Sequence, residues 1–176
     1  MNKIVNLETY RTKALKQRCF GAWEKRFDEK FTLSGRIVDI SDQTLYRLAC
    51  PGDDSNQAFY EIIMGALGLG PAVKFGYLED DDKLRVVDIH LFLVDLIRFE
   101  LMRRLGWLSP YATQNECIVE LVQKAEEIKI RYRSQGPKLA STHPKYKNYC
   151  NLVPRDKEAF VRGLLTNALE AFKRRV

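Results

Sequence analysis

"RVVDIHLFLVDLIRFELMRRLGW", residues 85–107, decides the fold, because it is apolar on nearly every side yet carries Asp88, His90 and Asp95. From 89 to 105 no polar stripe interrupts the apolar residues, so the segment reads as a buried central helix with Gly106 as its terminator. A membrane span is excluded. Asp88, Asp95, Arg98 and Glu100 lie inside the longest apolar stretch, and an Asp or Arg at a bilayer centre costs about 2.5–3.5 kcal/mol.

The residues just before the central helix admit two readings. Val73, Phe75 and Tyr77 alternate, "EDDDK" follows, and then come Leu84, Val86 and Val87, which together predict a β-hairpin over 72–87. A continuous helix from 82 to 105 is the rival. The pentapeptide "RIVDI" at 36–40 echoes "RVVDI" at 85–89, a shared pattern of a short extended run, an aspartate able to cap, and then a helix. The expected β content is thus a hairpin or strand pair near 36–40, 73–78 and 84–87.

Each reading gives the polar groups a scaffold role. In one helix, Asp88 and Asp95 share a stripe about 10 Å apart along the axis, and His90 falls about 200° around from Asp88. Asp88 then pairs with Arg85 and Asp95 with Arg98. In the hairpin reading Asp88 is the N-cap of the central helix, and His90 sits neutral in its first turn. A functional alternative brings Asp39, Asp88 and His90 together, where two carboxylates and an imidazole suit a divalent metal or acid–base catalysis. The chain has only two histidines and no H-E-x-x-H or E-x-x-H pair, so neither a metal nor a cofactor is assigned.

Outward from this core, helical spacing continues. Phe20, Trp23 and Phe27 define a first helix over 7–27, whose other face carries Arg11, Lys13, Lys16, Arg18, Lys25 and Arg26 and reads as solvated. Further helices are expected near 42–49 and 55–67. Another follows a capping pattern at Thr113 and Glu116, and the last opens at Pro154 and carries the stripe Phe160, Val161, Leu164, Leu165, Ala168 and Phe172. The fold class is therefore mostly α: a single compact helical domain spanning 1–176, with about six helices. At 176 residues and 45% apolar content, one core is the natural solution.

The amino terminus "MNKIVNLETYRTKAL" has no apolar run of the secretory kind, so a cytoplasmic setting is expected. Cys19, Cys50, Cys117 and Cys150 are widely spaced and read as reduced thiols. "GALGLG" at 65–70 lacks the Lys-Ser or Lys-Thr of a phosphate loop, and Pro71 stands where its helix would begin. His143 precedes Cys150 by seven residues, a spacing that fixes no catalytic pair on a loop.

Charge is segregated within the net +6. Residues 129–157 carry +7 and residues 31–83 carry −5. Arg131, Arg133, Lys138, His143, Lys145, Tyr146, Lys147 and Tyr149 mix cations with rings, the composition that binds nucleic acid or polyphosphate by neutralisation and stacking. The sequence thus ranks three functions. First is a non-enzymatic protein-interaction or regulatory module that self-associates, its charged patches steering the partner. A nucleic-acid or polyphosphate binder using 129–157 is second. A small metal-dependent hydrolase using Asp39, Asp88 and His90 is third.

Overall fold

In a computed structural model, which describes residues 7–110 and 114–176, the disputed segment is one uninterrupted helix, Asp80–Arg104. "EDDDK" is not a turn. Asp80, Asp81 and Asp82 occupy the first helical turn, where carboxylates favourably face the positive end of the helix. From Val86 on, Ile89, Leu93, Leu96, Ile97, Glu100 and Leu101 keep the helical period and are buried, which outweighs a two-residue alternation only three positions long. Residues 73–78 are not a strand either. Ala72–Tyr77 form a 3₁₀ turn that packs Phe75 edge-on to Tyr60 at 4.9 Å and leaves Val73 and Tyr77 exposed.

The third expected strand, 36–40, is a 3₁₀ turn over Ile37–Asp39. No β-strand is found among the described residues. Extended pairing is confined to isolated bridges, Arg36 with Cys117 and Leu108 with Leu139. The echo between 36–40 and 85–89 therefore carries no shared conformation, since one copy is a tight turn and the other lies inside a long helix.

The α-helices are α1 (Leu7–Phe20), α2 (Trp23–Phe27), α3 (Asp42–Ala49), α4 (Asp53–Leu67), α5 (Asp80–Arg104), α6 (Ile118–Gln123), α7 (Ala125–Ser134), α8 (Tyr146–Cys150), α9 (Pro154–Gly163) and α10 (Leu165–Lys173). Helices expected to be continuous are split. The break at Gly21 swings α2 so that Trp23 lies 4.8 Å from Phe31 and 5.7 Å from Phe20, an aromatic cluster that one straight helix would not close. The last helix is interrupted at Leu164, and the helical stripe from Ile118 to Tyr132 is divided between α6 and α7. Thr113, the expected cap, lies outside the described residues; Cys117 precedes α6 without a side-chain cap bond.

Central helix α5 packs against α3, α4 and α10, while α1 lies along α4. That second approach is close enough to require glycine, since a Cβ on Gly65 would sit 2.9 Å from the Arg18 carbonyl carbon. Gly106 ends α5 as expected, with φ +75° and bonds from Gly106 N to Arg103 O and from Trp107 N to Met102 O that satisfy the last carbonyls.

At the same end, Glu100 is a fully buried carboxylate held by Arg103 Nε at 2.7 Å and Arg104 Nε at 2.8 Å. Arg104 also reaches Asp42 Oδ1 at 2.7 Å and the Val38 carbonyl at 3.1 Å, and Arg175 donates to the Arg104 carbonyl at 2.8 Å. This network ties the end of α5 to α3, to the 37–39 turn and to the C-terminal residues. No helix among the described residues is long and apolar enough to cross a membrane.

Candidate functional site

The two nominated carboxylates of the central segment each have a partner of their own. Asp88 accepts from Lys129 of α7 rather than Arg85, and it is mid-helix rather than an N-cap. Asp95 binds Arg162 of α9 at 2.6 Å, not Arg98, whose guanidinium leans toward the Ala49 carbonyl at 3.4 Å. Long-range neighbours took the place of the local three-residue pairs, because the flanking helices bring guanidinium and ammonium groups to the same carboxylates.

Asp39 is exposed and accepts from the Arg36 side chain at 2.9 and 3.0 Å and from its backbone N–H at 3.0 Å. These bonds, side chain first, hold its pKa below the ordinary carboxylate value. His90 is wedged between the Phe59 and Tyr60 rings at 5.3 and 5.1 Å. Its buried Nε2 has no hydrogen-bond partner among the described residues, and desolvation, with the Arg98 charge second, lowers its pKa. Among the described residues Asp39, Asp88 and His90 form no group able to hold a metal ion.

In the basic segment, cations and rings are separated. Tyr132 is buried between Phe92 and Phe99, and Tyr149 is buried beside Phe160 with Lys157 over its ring at 5.1 Å. His143 packs edge-on to Trp107 at 5.0 Å and accepts from Lys145 N at Nδ1, its pKa lowered by desolvation and then by Lys145. Cys150 is exposed and partners Tyr146, and no bond joins it to His143 among the described residues. Lys129 and Arg131 are in ion pairs, the latter with Glu116 at 2.7 Å. Of the residues nominated there, Arg133, Lys138, Lys145 and Lys147 are exposed cations, and Tyr146 is the half-buried ring.

The feature that emerges instead is the outer face of the first half of α5. Leu84, Val87 and Leu91 lie one turn apart on one side of the helix and are 69, 37 and 59% exposed. This stripe borders a groove of about 250 Å³ between α5, α7 and α9, lined by Leu91, Asp95, Lys129, Arg133, Glu158 and Arg162. Ile130, on the outer side of α7, is also exposed. Burial works against the Arg162 cation, but its bonds to Asp95 and Glu158 outweigh that and raise its pKa, so the groove keeps a fixed charge pattern. The spacing of 84, 87 and 91 was in the sequence. What one helix cannot reveal is which of its apolar sides goes uncovered.

The arrangement defines a helical protein with an open apolar stripe beside a charged groove. The chain matches no family model, and no curated protein and no solved structure is significantly similar to it.

Proposed function

We propose that this chain is a non-enzymatic protein-interaction module that associates with a second copy of itself through the outer face of α5. The observation that carries the reading is the exposure of Leu84, Val87 and Leu91 on a helix whose remaining apolar residues form the core. Aligned apolar residues left in water mark contact surfaces more often than isolated ones do. Charge argues for a like partner. The acidic turn Asp80–Asp82 lies at one end of the stripe, and the exposed cation Arg133 lines the groove at the other. Two copies running antiparallel set Leu84 against Leu91 of the partner and each acidic turn toward the other's Arg133, the self-complementarity of a two-fold interface.

The reading includes one domain, since buried residues from Cys19 to Phe172 belong to a common core. It also includes a cytoplasmic setting, which suits four unpaired cysteines and a buried Cys19 thiol that desolvation pushes up to about 11. Light scattering at tens of micromolar tests the association. A dimer that Leu91→Arg dissociates supports it, and a monomer at every accessible concentration overturns it.

A further inference from the structure

The cations of the molecule differ in whether they already have a partner. Along 129–157, Lys129 and Arg131 are neutralised by carboxylates, and Lys157 rests on a ring. Lys138, Lys145 and Lys147 are exposed there, and Arg26 of α2 is paired with Glu61 at 2.9 Å, so what sets α1 and the loop after α2 apart is a set of exposed lysines that line one groove. Lys13, Lys16 and Lys30 are exposed, and among the described residues none of the three is in an ion pair. Yet they line one groove of about 560 Å³, together with Phe20, Trp23, Glu24 and Phe31. That volume falls within the roughly 300–1,000 Å³ of ordinary ligand pockets.

The local structure explains the convergence. Lys13 and Lys16 are three residues apart on α1, so they share the face that also carries Phe20. The break at Gly21 turns the chain, and the loop after α2 brings Lys30 and Phe31 back across that face. Like charges at this spacing oppose the helix that holds them, a repulsion that a bound anion would relieve. Glu24 on the same rim leaves an excess of two positive charges. Phe20, Trp23 and Phe31 pack together, Phe20 edge-on to Trp23 and Trp23 stacked on Phe31, and all three are buried, so none of these lining rings is open to a base.

We infer that the Lys13–Lys16–Lys30 groove binds a linear phosphate chain, recognised by charge alone. The ligand chemistry is shared by inorganic polyphosphate and by the backbone of a single-stranded nucleic acid, and burial of the three rings that line the groove leaves charge rather than stacking to hold the chain. This site is separate from the α5 face and stands whether or not the chain dimerises.

The test is anisotropy of a labelled oligothymidylate mixed with the full chain across a salt series, with inorganic polyphosphate as competitor. Binding should weaken steadily with salt, and polyphosphate should displace the strand. The triple variant Lys13→Ala, Lys16→Ala, Lys30→Ala should flatten the log–log salt slope by about 2, from roughly 0.7 per phosphate contact on a single strand. The triple variant Lys138→Ala, Lys145→Ala, Lys147→Ala should bind like wild type. Glu24→Gln should tighten binding a few-fold, a gain that unfolding does not produce. The proposal is overturned by no binding at low salt, by failure of polyphosphate to compete, by loss confined to the 138/145/147 variant, or by a Glu24→Gln variant that binds no tighter.

Discussion

Between Leu93 and Met102, α5 buries Leu93, Leu96, Ile97, Phe99, Glu100, Leu101 and Met102, whereas between Asp80 and Leu91 it buries only Val86 and Ile89. The two halves have similar letters: apolar residues interrupted by carboxylates and arginines. They differ in what surrounds them. The second half is enclosed by α3, α10 and the 37–39 turn, so one of its two carboxylates, Glu100, is buried and held by two guanidinium groups. The first half packs His90 against Phe59 and Tyr60 of α4 and faces Lys129 of α7, with Leu84, Val87 and Leu91 left in water, so Asp88 meets one lysine and stays mostly exposed. Similar chemistry thus becomes a structural lock in one half and a contact surface in the other.

The largest effect should come from breaking the lock. Glu100→Ala leaves Arg103 and Arg104 facing a void where a buried carboxylate had been, and removing one member of a buried pair typically costs about 3–5 kcal/mol. Urea denaturation should show that loss, while Asp88→Ala, at an exposed pair, should cost less than about 1 kcal/mol. Equal costs at the two positions would erase the distinction between the halves.

Next in size is the apolar contrast. Leu96→Ala, deep in the second half, should destabilise by about 2–5 kcal/mol. Leu91→Ala should change the stability of the isolated chain by no more than about 0.5 kcal/mol, as at ordinary surface sites. If Leu91→Ala also weakens self-association, its exposed side chain acts at the interface rather than in the core.

The smallest expected effect is the pH dependence. The pKa of His90 is lowered on folding, by desolvation and then by Arg98, and that of His143 is lowered by desolvation and then by Lys145. The unfolded chain therefore takes up protons at these sites first, and stability falls as the pH drops below the ordinary histidine value of 6.5. Melts between pH 7 and pH 5 should show the decline, and a His90→Gln, His143→Gln variant should flatten it. A wild type that gains stability over that interval would contradict the buried neutral assignment.

Much of the helical scheme was legible because it rests on local rules. The 3.6-residue stripe of α5, the Gly106 terminator and Pro154 at the first turn of α9 all follow from backbone geometry and spacing. The hairpin misreading came from treating Asp80–Asp82 as a turn, when three carboxylates ahead of an apolar run equally mark a helix start. The partners of Asp88 and Asp95 were not legible, since Lys129 and Arg162 are 41 and 67 residues away in the chain. The same holds for Tyr149, which looks like a stacking platform beside cations until the core is seen to take it.

Sedimentation equilibrium of the wild-type chain beside Leu91→Arg, with urea melts of both, tests most directly whether the first half of α5 is a contact surface. Wild type should be a reversible dimer and the variant a monomer, with closely similar stability of the dissociated chains. A wild type that stays monomeric, or a variant that stays dimeric, would contradict it.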